Sequence, residues 1–179
     1  MKTITYPSWL TRELRSDHAG EIGAVWIYKG ILSFSANSKM RTFARKHLAT
    51  ELKHLDKIES LLSLKHQSRL LPVWRIAGFI TGAIPALCGP NMTFCTIEAV
   101  EKFVDQHYQN QIDCIRPALK QIPELEIVHS VLSECQTDEI MHRNEAAELA
   151  QTSPRVIVRL WCLLISKGSL AAVILARLI

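Results

Sequence analysis

Two halves of this chain repeat the same order of carboxylate and imidazole residues: a lone Glu, then a Glu-x-x-His pair one predicted helix later. The six residues are Glu21, Glu51, His54, Glu101, Glu139 and His142. Four carboxylates and two imidazoles in this order are the ligand set of a carboxylate-bridged di-iron or di-manganese centre inside a four-helix bundle. The pattern therefore predicts four helices whose inner faces carry ionisable groups.

Helical phase separates these pairs from a third one, Glu126 and His129. Glu139 follows Glu126 by thirteen positions, which places them on nearly opposite faces of one helix. The Glu139 pair belongs to an apolar stripe with steps of three and four residues: Leu125, Val128, Leu132, Cys135, Glu139, His142, Ala146 and Leu149. We therefore expect Glu126 and His129 to be solvated.

The other candidate ligands lie on similar stripes. The stripe of Glu51 and His54 contains Met40, Phe43, His47, Glu51, His54, Ile58 and Leu61. The stripe of Glu21 contains Leu14, Glu21, Val25, Tyr28 and Leu32, and that of Glu101 contains Phe94, Ile97, Glu101, Val104, Tyr108 and Ile115. Isolated buried carboxylates are costly unless they are paired or bound to metal, so a shared metal site is the favoured interpretation. The alternative is that one or two of these Glu residues lie partly exposed at the edge of a stripe.

Composition favours an almost entirely helical protein that forms a single domain over residues 1–179. The chain has only 7 Gly and 7 Pro and a hydrophobic fraction of 48%, with helical periodicity throughout. A net charge of +4 and scattered basic residues, without a motif, do not indicate a nucleic-acid partner. The five Cys are widely separated, which predicts reduced, buried thiols rather than disulfides.

Proline, glycine and capping residues divide the chain into six predicted helices. Their approximate ranges are 8–35 with Ser8 as N-cap, 37–64, 72–88, 91–120 with a bend near Pro117, 123–151 and 154–179. The start of the chain shows no signal peptide or transit segment. This fits a bacterial protein or a processed organellar one.

The third and sixth predicted helices are unusually apolar. Residues 72–95 form a long apolar run interrupted by Gly and Pro, and residues 156–179 are mostly aliphatic with Arg159, Lys167 and Arg177 among them. The uninterrupted apolar segments fall short of about 20 residues, so we expect these helices to lie in a membrane interface. Trp74 and Trp161 would then sit near the headgroups. The alternative is a pair of buried helices or an oligomer contact.

Several segments resemble the demethoxyubiquinone hydroxylase family of ubiquinone biosynthesis, over nearly the whole chain from about residue 17. They are Asp-His-Ala-Gly-Glu-Ile-Gly-Ala at 17–24, Ile-Tyr-Lys-Gly at 27–30, Pro-Val-Trp-Arg-Ile-Ala-Gly-Phe at 72–79, Ala-Val-Glu at 99–101 and His-Tyr-Gln-Asn-Gln-Ile at 107–112. The resemblance implies a ferritin-like four-helix bundle with two additional apolar helices. It assigns the iron ligands to the same six residues.

The resemblance also implies roles for His107 and Tyr108, which match the family's His-Tyr pair associated with quinone binding and electron delivery. The alternative for His107 is a position at the protein surface or behind the metal ligands. The chain departs from the family at Gln106, where many members have a second His, and at Arg143-Asn144, where they often have His-Asp. An Asp there would orient a ligand imidazole, whereas Asn144 adds no charge.

The implied reaction is hydroxylation of the demethoxyubiquinol ring by a di-iron monooxygenase, with dioxygen as co-substrate and NADH or the quinol itself as reductant. The implied partners are the prenylated quinol, membrane lipid and other ubiquinone-biosynthesis proteins. The implied location is peripheral, on the cytoplasmic face of a bacterial cell membrane or on the mitochondrial inner membrane. Open alternatives are a di-iron oxygenase for another quinone or lipid, an iron-binding ferroxidase and a non-enzymatic quinone-binding protein.

Overall fold

A computed structural model describes residues 6–150 and 154–179, and these residues form an all-helical fold without strands. The helices are α1 (Ser8–Phe34), α2 (Ser38–Leu61), α3 (Leu71–Cys88), α4 (Pro90–Ala118), α5 (Glu126–Leu149) and α6 (Val156–Leu178). Short 3-10 turns at Leu64–His66 and Pro123–Leu125 precede α3 and α5. The predicted fold class and the number of helices are confirmed for this part of the chain.

Local residues explain most helix boundaries. The Asn37 side chain accepts a hydrogen bond from the Met40 backbone N–H at 3.0 Å and so caps α2. Gly89, at φ 107°, makes the turn between α3 and α4, and Pro90 follows it in the first turn of α4.

Some predicted boundaries were wrong by a few residues. Pro7, not Ser8, occupies the N-cap of α1. Pro123 begins a 3-10 turn rather than α5 itself, and α6 begins at Val156 rather than at residue 154. The predicted end of the fifth helix near residue 151 lies outside the described residues.

Two apolar clusters fill the bundle, one at each end. The first contains Leu10 and Leu14 of α1, Ile58 and Leu61 of α2, Ile112 and Ile115 of α4, and Leu132 and Cys135 of α5; the second contains Ile27 and Ile31, Met40 and Phe43, Phe94 and Ile97, and Ala146 of the same helices. The order of the clusters along the chain shows that α1 and α5 run in one direction and α2 and α4 in the other. On every helix the candidate ligands lie between the two clusters.

Helix α3 lies unusually close to α1. A Cβ atom added to Gly82 would come within 1.9 Å of the Ile27 carbonyl oxygen, and one added to Gly78 within 2.3 Å of the Gly23 carbonyl oxygen. Gly30 of α1 approaches the Phe79 carbonyl in the same way. Because only glycine permits this backbone contact, these residues fix the position of α3 against the bundle.

The outer faces of α3 and α6 are apolar and exposed. The exposed residues include Ile76, Ile80, Ile84 and Leu87 on α3, and Ile157, Leu160, Leu163, Leu164, Ile174 and Leu178 on α6. By length and composition alone, both helices could cross a membrane. A continuous exposed apolar surface of this kind is typical of a site that contacts lipid or another protein.

The prediction that Trp74 lies among lipid headgroups is wrong. Its side chain is only 7% exposed, packs on Ala19 and Ile22 of α1, and donates a hydrogen bond from Nε1 to the Ser68 hydroxyl at 3.1 Å. Trp161 is half-buried, and its Nε1 donates to Thr96 at 3.0 Å. Both indole rings therefore attach the apolar helices to neighbouring segments.

The five cysteines are free thiols, as predicted, but they are not all buried. Cys95 and Cys135 are buried and Cys162 is half-buried, whereas Cys88 and Cys114 are exposed. Cys88 is the last residue of α3, and Cys114 lies on the outward face of α4 between the core residues Ile112 and Ile115.

Candidate metal centre

The four core helices bring the six predicted ligands together in the centre of the bundle. Helix α1 contributes Glu21, α2 contributes Glu51 and His54, α4 contributes Glu101, and α5 contributes Glu139 and His142. All six are between 0 and 3% exposed. The helical phase analysis therefore located their buried positions correctly.

The six residues form two overlapping groups, each with donor atoms within 4.8 Å of one another. One group is Glu21, Glu51, His54 and Glu139, and the other is Glu51, Glu101, Glu139 and His142. Glu51 and Glu139 belong to both groups. Each group thus has one imidazole and one carboxylate of its own, with two shared carboxylates between them.

The imidazole rings face the shared carboxylates. His142 Nδ1 lies 3.1 Å from Glu51 Oε1 and 3.0 Å from Glu139 Oε2. His54 Nδ1 lies 3.1 Å from Glu139 Oε1 and 3.8 Å from an oxygen of Glu21. Both rings therefore direct their Nδ1 atoms toward the centre of the cluster.

Burial and mutual charge perturb every group in the cluster. Burial is the main cause that raises the pKa values of Glu21, Glu51 and Glu101, and neighbouring carboxylates raise them further. Burial would also raise the pKa of Glu139, but hydrogen bonds from the two imidazoles lower it to about 2.

The pKa values of the two imidazoles shift in the direction opposite to that expected from burial alone. Burial alone would lower their pKa values, but hydrogen bonds to Glu139 and the surrounding carboxylates raise the pKa of His54 to about 10 and that of His142 to about 11. Both imidazoles therefore favour the protonated, cationic form among these carboxylates.

The chemistry of the cluster fits metal ions. Within the described part of the chain, the buried carboxylate oxygens Glu21 Oε2 and Glu51 Oε2 have no hydrogen-bond partner. Buried acceptors without partners are costly, and such a concentration in one place needs a physical cause. Hard carboxylate oxygens combined with imidazole nitrogen suit iron or manganese.

Residues next to the cluster form hydrogen bonds that orient several of its members. His54 Nε2 lies 3.1 Å from Asp138 Oδ2, the Tyr28 hydroxyl donates to Glu101 at 3.0 Å, and the Tyr108 hydroxyl donates to Glu21. A carboxylate on the far nitrogen of an imidazole fixes its tautomer and makes it a better ligand. The sequence analysis missed Asp138, because its bond to His54 joins two different helices.

His47 supports the second imidazole in a different way. Its ring lies edge-on to the ring of His142, with centroids 4.0 Å apart, and its Nε2 lies 3.2 Å from Glu145, which also binds Lys46. Burial and the nearby His142 lower the pKa of His47 to about 4. The sequence analysis placed His47 on the buried stripe but gave it no role.

A cavity of about 420 Å³ reaches the cluster from the side of α1, α3, α4 and α6. Its inner end is lined by Glu21, Glu51, Glu101 and Glu139, and its outer walls by small and apolar residues that include Ala77 and Gly78 of α3 and Gly168 and Ala172 of α6. The cavity thus joins the carboxylates to the two apolar helices.

A sequence profile described as the ubiquinone biosynthesis protein COQ7 family matches residues 8–176. The chain belongs to this family. A Dictyostelium discoideum relative named NADPH-dependent 3-demethoxyubiquinone 3-hydroxylase is 32% identical over 141 residues, which cover 78% of this chain and 64% of the relative. A Rhodospirillum rubrum relative named 3-demethoxyubiquinol 3-hydroxylase is 36% identical over 107 residues, which cover 58% of this chain and 50% of the relative. The chain therefore spans less than two-thirds of the length of these relatives.

In this COQ7 family member, His107 and Tyr108 both line the cavity. Tyr108 is buried, and burial together with the Glu21 carboxylate raises its pKa well above the usual range. His107 is not a surface residue, since its side chain is only 11% exposed and its Nε2 lies 3.0 Å from Asp17.

The three departures from the family pattern lie outside the cluster. Gln106 is exposed and bonds Asn110. Asn144 accepts hydrogen bonds from Arg143, which also binds Asp105 at 2.5 Å. Among the described residues Asn144 has no bond to either imidazole of the cluster, whereas Asp138 does.

The third Glu-x-x-His pair takes no part in the cluster. Glu126 is exposed, as predicted, and neither it nor His129 belongs to the two ligand groups. His129 was predicted to be solvated but is half-buried, and its Nε2 has no partner among the described residues.

Proposed function

We propose that this chain is a di-iron monooxygenase that hydroxylates the ring of demethoxyubiquinol in ubiquinone biosynthesis. The observation that carries this proposal is the position of the buried carboxylate and imidazole cluster at the inner end of a cavity bounded by two apolar helices. The printed names of the relatives, which describe hydroxylases of demethoxyubiquinone or demethoxyubiquinol, support the same reaction. A ferroxidase would not need a cavity that leads to an apolar surface.

The proposed metal ligands are the six clustered residues. Glu21 and His54 would hold one iron, Glu101 and His142 would hold the other, and Glu51 and Glu139 would bridge the two. When bound, two irons would supply the redox chemistry by which dioxygen, two electrons and two protons convert a ring C–H into a ring hydroxyl and one water. The electrons would come from NADH, NADPH or the quinol itself, and the first relative's name favours NADPH.

The residues around the cavity would bind and orient the substrate. The small side chains on α3 and α6 leave room for a flat ring and the first part of an apolar tail. His107 and Tyr108 of α4 are polar residues that line the cavity. They are therefore the proposed contacts for the ring oxygens of the substrate. The apolar clusters at the two ends of the bundle would exclude water from the reacting groups.

We further propose that α3 and α6 bind the chain peripherally to a membrane. Their exposed aliphatic faces would enter the lipid, and the exposed Arg159 and Lys167 would meet anionic headgroups. Arg177 points inward instead and forms an ion pair with Glu13 at 2.6 Å. The proposed membrane is the bacterial cell membrane at its cytoplasmic face or the mitochondrial inner membrane; the eukaryotic relatives are named as mitochondrial.

The same proposal treats residues 1–179 as one domain, because every described helix packs on the bundle that holds the cluster. Other ubiquinone-biosynthesis proteins are the proposed partners, since a lipid-soluble intermediate must pass from the preceding enzyme to the cavity.

The test is the quinone content, by mass spectrometry, of cells that lack their own demethoxyubiquinol hydroxylase and express this chain. We expect ubiquinone to return and the demethoxy precursor to fall. Glu139→Ala or His142→Ala should abolish both iron binding and the return of ubiquinone. The matched controls Glu126→Ala and His129→Ala, from the Glu-x-x-His pair outside the cluster, should change neither. Persistence of the precursor with an iron-loaded, membrane-bound chain would refute the proposed substrate.

A further inference from the structure

A buried polar network surrounds one nitrogen of His107 and is not needed to bind the metals. His107 Nε2 lies 3.0 Å from Asp17 Oδ1, 2.9 Å from Gln111 Nε2 and 3.4 Å from the Ser16 hydroxyl oxygen. The Asp17 side chain is fully buried. The network joins α1 to α4 at the wall of the cavity.

The positions of the hydrogens in this network follow from counting donors and acceptors. Gln111 has two amide hydrogens, and it has two carboxylate acceptors, Asp17 at 2.7 Å and Glu13 at 3.2 Å. The Ser16 hydroxyl donates its hydrogen to the Glu13 carbonyl at 2.7 Å, so only lone pairs face His107. A hydrogen between His107 Nε2 and the Asp17 carboxylate must therefore come from His107.

We propose that Asp17 is a positioning residue that holds neutral His107 in the tautomer with the proton on Nε2, so that Nδ1 accepts a hydrogen bond from a ring hydroxyl of the substrate. Gln111 supports Asp17 by donating to the same oxygen. Among the described residues the hydrogen bonds of His107 all involve Nε2 and none involves Nδ1, and His107 lines the cavity. This inference rests on the proposed function.

The consequence is selection of the reduced substrate over the oxidised one. A quinol offers hydroxyl hydrogens, which match the lone pair of Nδ1, whereas a quinone offers only carbonyl lone pairs, which do not. A site that is built to bond a hydroxyl rejects an analogue without that hydrogen strongly, because a buried polar group is then left unpaired. The chain would thus bind the quinol and release a quinone.

Removing the Asp17 carboxylate should reverse this preference. In Asp17→Leu, the Gln111 amide that lies 2.9 Å from His107 Nε2 loses its acceptor on Asp17 and can donate to that nitrogen instead. The ring proton then moves to Nδ1, which becomes a donor toward the cavity. In the double variant Asp17→Leu/Gln111→Leu neither tautomer is fixed, so the preference should disappear rather than reverse.

The experiment uses the full chain loaded with zinc, which has no redox activity, so that neither ligand reacts. The probes are a methoxybenzoquinone with one prenyl unit and the quinol obtained by reducing it, bound without oxygen. We expect the unchanged chain to bind the quinol about tenfold or more tightly than the quinone. Asp17→Leu should shift this ratio toward the quinone by about tenfold or more, and the control Asp113→Asn, an exposed carboxylate on the same helix as His107, should keep it.

Nitrogen chemical shifts of His107 in the unchanged chain give a second readout that does not depend on a variant folding. A protonated Nε2 supports the inference, and a protonated Nδ1 overturns it. Equal affinity for quinol and quinone in the unchanged chain, or an unaltered ratio in a folded Asp17→Leu variant, would also overturn it. Failure of both probes to bind would refute the proposed substrate, and with it this inference, whereas an altered tautomer alone would leave the proposed function standing.

Discussion

Substitution of Gly82 by Ala should destabilise the protein because it forces α3 away from α1. The added Cβ would lie 1.9 Å from the Ile27 carbonyl oxygen, whereas an ordinary contact begins at 3.4 Å. The helices would therefore have to separate by about 1.5 Å at this point. A backbone carbonyl inside a helix cannot turn away as a side chain can. We expect a cost of about 3 kcal/mol, at the upper end of the range for overpacking.

A loss of this size should lower Tm by roughly 6 to 12 °C in a chain of this length. Circular dichroism in a mild detergent measures it, and Gly168→Ala on α6 is the matched control because nothing lies within 4 Å of its added Cβ. That control should raise stability by about 0.5 to 1 kcal/mol, as Ala does in a helix. A Gly82→Ala variant that melts at or above the unchanged chain would refute the close approach of α1 and α3.

Two further predictions concern metal binding. Asp138→Asn should weaken metal affinity by about ten- to a hundredfold in equilibrium dialysis, because it removes the carboxylate that orients His54; unchanged affinity would contradict that role. Loading metal at neutral pH should release at least two protons, because the metal-free pKa values of His54 and His142 are about 10 and 11. Calorimetry in buffers of different ionisation enthalpy counts these protons. In the metal-free chain, the stability from both raised pKa values is fully present below pH ~6.5 and should be lost as the pH rises through about 10 to 11.

The buried positions of α2 show how much of the site the sequence could predict. Every residue of its predicted stripe is buried: Met40, Phe43, His47, Glu51, His54, Ile58 and Leu61. The prediction works because the helical period alone decides which side chains share a face. The same reasoning separated Glu139 from Glu126, since both lie on one helix and only their phase differs.

The period of a helix carries no information about what a side chain meets on another helix. The bond between Asp138 and His54 joins α5 to α2, and the one between Tyr28 and Glu101 joins α1 to α4. Each depends on the rotation and separation of two helices. For the same reason the amphipathic character of Trp74 suggested a membrane interface, although packing against α1 and the Ser68 hydroxyl holds it inside.

The cavity reaches the cluster from the side of its carboxylates, and this asymmetry bears on how a substrate would meet the proposed metals. Four carboxylates line its inner end, but neither His54 nor His142 does. On the side of α2 and α5, Asp138 and His47 lie behind the imidazoles. On the side of α1, Gly20 next to Glu21 lines the cavity, and a Cβ added there would meet nothing within 4 Å. The imidazoles are thus held from the side away from the cavity, so the carboxylate face of the proposed ligand set is the one open to the cavity. A ring that enters from the apolar helices would reach that face directly beside Tyr108.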